Sequence, residues 1–203
     1  MGRVAVTRVA VTLDGRGEVR PAHLDALRAA GLEPVLAGDA IGDCVAVYLP
    51  GTDYVPSSPD EDAEAEASRA GLPWDPVKVH NDLAVLGEAR ERALPVLGVC
   101  GGMQAMVVLD GGTLRAAEGH QDLEGGVEVT TAEGSRAREV FGPRTAANSF
   151  HRQVVDAPPE TLAVSGWSEG VAEVVEGGRW LGVQWHPERL GDLRPYRWLA
   201  AQL

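Results

Sequence analysis

The chain has 203 residues, 44% hydrophobic and 24% charged, the balance of a globular protein with one sizeable core and little room for a second. Its formal net charge of −12 repels phosphate backbones and argues against a nucleic-acid partner. Two cysteines, Cys44 and Cys100, make no disulfide framework, so a single reactive thiol is the feature to look for.

Met1-Gly2-Arg3-Val4 leads directly into a Val-rich alternation, and residues 3 to 13 read as one or two strands. That start has neither the apolar segment nor the cleavage site of a secretory leader, and no window approaches a membrane-spanning helix. The expected location is the cytoplasm. A helix is predicted over residues 21 to 31, from Pro21 to Gly31, with Leu24, Leu27 and Ala30 on one face. Strands follow at Val35-Leu36-Ala37 and from Cys44 to Leu49, the second stopped by Pro50-Gly51. The order β, α, β, β points to an α/β sheet.

Residues 51 to 76 hold Pro56, Pro59, Pro73 and Pro76 and an acidic run of Asp60, Glu61, Asp62, Glu64 and Glu66. They read as a long surface excursion whose charges are a solvated loop or helix face. Val79, Leu83 and Leu86 have helical spacing, Leu94-Pro95-Val96-Leu97 is a buried strand, and Gly101 to Leu109 is the next helix. From about residue 126 the pattern turns to β: Val127-Glu128-Val129, Leu162 to Val164, Val171 to Val175 and Trp180 to Trp185. Leu193 to Leu203 is helical. No repeat or linker divides the chain, and residues 1–203 are expected to form one domain.

The segment Gly98-Val99-Cys100-Gly101-Gly102-Met103-Gln104 carries the chemistry. An apolar strand, a reactive residue among glycines and a helix make a nucleophile elbow, with Cys in the place of Ser. The tight turn strains the nucleophile and demands small neighbours, which Gly98 and Gly102 supply. The helix after Cys100 turns free N–H groups and its positive end towards the sulfur, favouring the thiolate. The Gly101 N–H is placed to bind an oxyanion. Cys44 has no such company and is expected in the core.

Near the C-terminus, Gly182-Val183-Gln184-Trp185-His186-Pro187-Glu188 sets His186 and Glu188 two apart at a strand end, where side chains share a face. A carboxylate beside an imidazole fixes its tautomer and stabilises its cation. His151 is a rival base without a carboxylate two residues away. His23, His80 and His120 are expected to be structural or solvent-exposed. No metal-ligand spacing and no phosphate loop with Lys is present, so no metal or cofactor is expected.

In order, Pro-Gly at residues 50–51, Gly-x-Cys-x-Gly-x-Gln at 98–104, Asn-Ser-x-His-x-Gln at 148–153 and Gly-Val-Gln-Trp-His-Pro-Glu at 182–188 resemble the class I glutamine amidotransferase superfamily. The match is closest to its gamma-glutamyl-gamma-aminobutyrate hydrolase group, the peptidase C26 type. The resemblance implies a flavodoxin-like α/β three-layer sandwich with a central, largely parallel sheet. It implies that Cys100 attacks the γ-carbonyl of a glutamyl amide, that His186 protonates the departing amine and then activates water, and that Glu188 orients His186. A second oxyanion donor would come from Gly51 or Thr52. Gln104 with Asn148, Ser149, Phe150, His151 and Gln153 would hold the glutamyl group, His151 as a pocket residue. Three departures from the group's pattern stand out: Gly101 where Arg is usual, Thr52 after Pro-Gly, and Asp75-Pro76-Val77-Lys78-Val79 with an Asp lost. Gly101 is expected to leave an opening where a long cation would sit.

The expected activity is a cysteine-dependent hydrolase releasing glutamate and an amine from a small-molecule γ-glutamyl amide, with no nucleic acid and no membrane as partner. The alternative is a glutaminase subunit that supplies ammonia to a separate synthase. A catalytically silent member of the fold would lack a triad residue, and all three are present. Neither the amine nor a homo-oligomeric state is readable from these residues.

Overall fold

The computed structural model describes residues 7–57, 61–118 and 126–203. The strand expected from residue 3 lies outside these at its start and is β1 (Arg8–Thr12) thereafter. The chain continues through α1 (Pro21–Ala29), β2 (Glu33–Ala37), β3 (Ala46–Leu49), α2 (Ala63–Ala70), α3 (Pro76–Glu91), β4 (Val96–Val99) and α4 (Gly101–Leu109). Then come β5 (Thr113–Ala116), β6 (Val127–Thr131), α5 (Arg136–Phe141), β7 (Arg144–Ala147), β8 (Gln153–Ala157), β9 (Ala163–Ser168), β10 (Val171–Gly177), β11 (Trp180–Val183), α6 (Pro187–Leu190) and α7 (Arg194–Ala201).

One sheet runs in the order β2-β1-β3-β4-β11-β10-β9-β6-β7. The first five strands are parallel, and β10, β9, β6 and β7 extend them as an antiparallel wing. β3, β4 and β11 are buried throughout and read as unbroken apolar runs, because helices cover both faces of a parallel sheet. Period-two alternation sorts the side chains between two cores. Ala10 joins Val85, Leu86, Met103 and Met106 under α3 and α4. Val9 and Val11 join Leu27, Phe141, Tyr196 and Leu199 under α1, α5 and α7. The result is the three-layer α/β sandwich, its parallel strands at the core of the sheet. α4 is buried almost end to end, so its sequence is apolar all round. Cys44 is fully buried in the α3/α4 core, as expected.

Several elements differ from the sequence reading. The excursion over residues 51 to 76 contains α2, capped by Asp62, whose side chain accepts from the Ala65 N–H at 3.2 Å, and closed by Gly71 at φ 67°. Within the acidic run, Glu61 ties the loop together by accepting from Tyr54 and Ser57, while Asp60 lies outside the described residues. β5 and β8 pair as a separate ribbon. α5 and β7 lie in a stretch whose sequence signals were too weak to place them. Among the described residues no helix is long and apolar enough to cross a membrane.

Candidate active site

Registers in the parallel half bring three chain segments to one place. Leu49 of β3 pairs with Gly98 of β4, and Gly98 with Gly182 of β11. The residues that follow each strand therefore emerge side by side at the carboxyl edge of the sheet, where open α/β sheets bind ligands. They are Pro50-Gly51-Thr52, Cys100-Gly101 and Gln184-Trp185-His186.

Cys100 stands at φ 54° and ψ −113°, between the last residue of β4 and the first of α4. A non-glycine residue there carries about 1–3 kcal/mol of strain, retained because the surroundings fix it. Its N–H donates to the Val183 carbonyl at 2.8 Å and its carbonyl accepts from the Gln104 N–H at 3.1 Å, so both sides of the turn are fastened. The glycines are space-filling requirements: a Cβ on Gly98 would lie 2.8 Å from the Gly102 carbonyl oxygen. The same holds for Gly101, and here the sequence expectation is corrected. A Cβ on Gly101 would lie 2.5 Å from the Thr52 nitrogen and 2.7 Å from Thr52 Cγ2. Gly101 leaves no opening, because the Gly51-Thr52 turn fills the space. Two of the departures from the group's pattern are thus in contact with each other.

His186 and Glu188 meet, but not by strand geometry. β11 ends at Val183, His186 is the N-cap of the single-turn helix α6, and Pro187 opens that helix with Glu188 in its first turn. The turn, not the alternation of a strand, brings His186 Nδ1 to 2.7 Å from Glu188 Oε1. Burial pulls the His186 pKa down, but the negative charge of Cys100, a hydrogen bond to it, and Glu188 outweigh burial and raise it from 6.5 to about 10. Burial pushes the Glu188 pKa up, and the opposing contacts with His186 and His23 bring it below the ordinary carboxylate value. The arrangement favours a proton on the imidazole, which stands between the Cys100 sulfur and a carboxylate.

A cleft of about 890 Å³ opens over Cys100 and His186 and runs along Gly51, Trp74, Arg20 and Phe150. A smaller cavity of about 320 Å³, lined by Arg90 and Trp180, lies at the other end of the strands, away from these groups.

The expected substrate-holding residues divide. Gln104 and His151 are buried and line the cleft, and Phe150 is exposed on its rim with the Arg189 guanidinium 4.6 Å from its ring centroid. Ser149 is buried. Asn148 and Gln153 are turned to the backbone instead. Asn148 Nδ2 donates to the His186 carbonyl at 2.8 Å and its Oδ1 accepts from the His186 N–H at 2.9 Å. Gln153 clamps Val55 in the same reciprocal way, at 2.9 and 2.8 Å, holding the segment after Thr52. Their amides are bonded to the loops that carry the site.

Sequence reasoning missed His23. It is buried on α1, its Nδ1 2.6 Å from Tyr48 Oη and its Nε2 3.7 Å from Glu188 Oε1. No motif marks it; its three- and four-residue steps to Ala26 and Leu27 on the inward face of α1 were the available signal. His80 is exposed, and His120 lies outside the described residues. Among the described residues, His23, His186 and Glu188 form a group whose ligand atoms lie within 4.8 Å of one another, the geometry a metal ion could use. The 2.7 Å His186–Glu188 contact is the spacing of a shared proton, and one nitrogen of His23 is taken by Tyr48. Those contacts describe a proton-holding cluster.

Comparison with known proteins follows the same lines. The profile of the peptidase C26 family matches residues 36–188. The chain is 38% identical over 134 residues to Rv2859c of Mycobacterium tuberculosis, a protein named as a glutamine amidotransferase, over 59% of this chain and 44% of that one. It is 28% identical over 180 residues to the gamma-glutamyl-gamma-aminobutyrate hydrolase PuuD of Escherichia coli, over 77% of this chain and 68% of that one. The chain spans about half the length of the first curated relatives it matches, 44% and 54%. Its fold is similar to that of a glutamine amidotransferase from Thermotoga maritima, with a TM-score of 0.68, 17% identity, and coverage of 96% of this chain and 81% of that one.

Proposed function

The chain belongs to the peptidase C26 family, and from that premise we propose that it is a cysteine-dependent hydrolase that cleaves a γ-glutamyl amide to glutamate and an amine. The observation that carries this reading is Cys100 at a positive φ between β4 and α4, in one cleft with His186, whose Nδ1 is 2.7 Å from Glu188.

The Cys100 thiolate attacks the γ-carbonyl carbon. A C–S bond forms and the carbonyl π pair moves to oxygen, where the N–H of Gly101 and that of Gly51 or Thr52 receive it. Collapse breaks the C–N bond as the His186 imidazolium gives its proton to the departing amine. Neutral His186 then takes a proton from water, the hydroxyl attacks the thioester, and collapse expels the thiolate and releases glutamate. Glu188 holds His186 in one orientation through both halves of the cycle. A cleft of about 890 Å³ is roomy for glutamine alone and favours an amide with a sizeable amine, which places a glutaminase subunit second.

The test is a panel of γ-glutamyl amides and free glutamine offered to the purified chain, with glutamate and ammonia followed separately. Glutamate release from amides that yield no ammonia, abolished in Cys100→Ala, is the expected result. Turnover of glutamine alone would move the chain to the glutaminase reading. Near wild-type turnover in Cys100→Ala would refute the cysteine mechanism.

A further inference from the structure

Behind Glu188 stands a second imidazole that the proposed reaction does not use. His23 comes from α1, far in sequence from either catalytic motif, and is 4% exposed. One oxygen of Glu188 faces both rings: Oε1 is 2.7 Å from His186 Nδ1 and 3.7 Å from His23 Nε2. Oε2 of the same carboxylate is buried without a hydrogen-bond partner. Oε1 therefore stands between the two rings, bonded to His186 and faced by His23.

His23 is itself held. Its Nδ1 is 2.6 Å from Tyr48 Oη, and Tyr48 Oη is 3.3 Å from Tyr196 Oη on α7, with both tyrosines fully buried. The direction of the protons follows from the carboxylate at the end. Nε2 faces an anion and carries the hydrogen, so Nδ1 is the acceptor. Tyr48 then donates to His23, and Tyr196 donates to Tyr48. At 3.7 Å the last step is longer than a hydrogen bond and acts as an N–H dipole directed at a charge.

We infer that His23 is a positioning residue for Glu188, oriented by a donor chain that runs from Tyr196 through Tyr48 and ends on the carboxylate that holds His186. The inference rests on the triad reading above. Burial lowers the His23 pKa, Glu188 opposes it, and the result is about 4, so the ring is neutral at physiological pH and contributes a dipole, not a second cation. The other charged groups that bear on it are His186, Arg20 and Lys78, while Cys100 faces His186 and Asp192 bears on Tyr196.

The experiment is a histidine-selective NMR titration of the His186 ring in the full chain without substrate, comparing wild type, His23→Ala, Tyr48→Phe and the double variant. Both single changes are expected to lower the His186 pKa by about one unit, because the carboxylate no longer holds a fixed face to the imidazolium. The double variant is expected to be no worse than His23→Ala, since the two act through one chain. Tyr48→Phe removes only a hydroxyl and keeps the test available should His23→Ala fail to fold. An unchanged His186 titration in folded Tyr48→Phe, or additive shifts in the double variant, overturns the inference. No substrate enters the titration, so an error in the proposed substrate leaves it standing, and an unchanged titration in an active hydrolase refutes His23 alone.

Discussion

The amide of Asn148 is bonded at both ends to the backbone of one residue, His186: its Nδ2 donates to the His186 carbonyl at 2.8 Å and its Oδ1 accepts from the His186 N–H at 2.9 Å. The chain between β7 and β8 thereby fixes the turn that presents the imidazole. Asn148→Ala leaves two buried backbone groups without partners and should cost about 1–3 kcal/mol. Asn148→Asp keeps an acceptor and sets a carboxylate against the His186 carbonyl. Both changes should lower kcat more than they raise KM, since His186 moves while the cleft is left in place. Denaturant unfolding and steady-state kinetics on the two variants check this. A rise in KM at unchanged kcat would return Asn148 to the substrate.

The pKa of His186 makes a prediction about stability. A base whose pKa rises on folding binds its proton more tightly in the native state. Its contribution is therefore complete below its ordinary value of 6.5 and is lost as the pH climbs through about 10. Glu188 behaves in the opposite sense: its pKa is lowered, so its contribution is present above the ordinary carboxylate range and is lost as the pH falls through its folded value. The unfolding free energy of the wild type should fall between pH 7 and 10. Cys100→Ser removes the leading causes that raise the His186 pKa, so the same fall should be shallower. Urea unfolding of the two proteins at intervals over that range decides it, and parallel curves would mean that Cys100 does not hold the proton on His186.

Gly101 and Thr52 make a third test. Gly101→Ala drives a Cβ into the Thr52 backbone, so the turn that would carry the second oxyanion donor must shift. Loss of one such donor costs about 10²–10³ in kcat. Thr52→Gly relieves only the Cγ2 contact and should not rescue Gly101→Ala, because the Thr52 nitrogen remains 2.5 Å from the new carbon. Alkylation of Cys100 by iodoacetamide, which needs no oxyanion hole, should survive. Restored kcat in the double variant would show that the side chain, and not the backbone, fills the space.

How much of this was legible in the residues depends on the kind of signal. The run from β4 into α4 follows directly, because an apolar strand, a cysteine among glycines and an apolar helix admit few other readings. The pairing of His186 with Glu188 was legible in identity and wrong in geometry. Pro187 signalled the end of the strand, but the turn that follows is fastened by Asn148, 38 residues earlier. α2 was hidden by its own composition: alternate Glu and Ala without an apolar stripe reads as a solvated run, and only the Asp62 and Gly71 caps mark it. His23 could not be assigned at all, since a histidine on a helix carries no information about a carboxylate brought next to it by the sheet.

The final prediction concerns what the cleft reads. Under the proposed reaction the glutamyl half must lie with its γ-carbonyl at Cys100, and the amine half must leave through the cleft towards Trp74 and Arg20. Arg20 there is exposed and Trp74 half-buried, so contacts are partial and tolerate change. The inner wall is built from buried polar side chains, Gln104 and His151 among them. A charged α-amino group desolvated against such a wall must find hydrogen-bond partners there, and recognition of that kind discriminates by as much as about 10⁴-fold in kcat/KM. The enzyme should therefore accept different amines and reject loss of the glutamyl α-amino group. A γ-glutamyl anilide and its glutaryl analogue, which lacks only that amino group, make the comparison directly. The anilide should be preferred by at least about 10²-fold, and varying the aniline for an alkylamine should change kcat/KM by less than that. Equal kcat/KM for anilide and glutaryl analogue would mean that this inner wall does not recognise a glutamyl group, and would leave the cysteine chemistry with a different acyl donor.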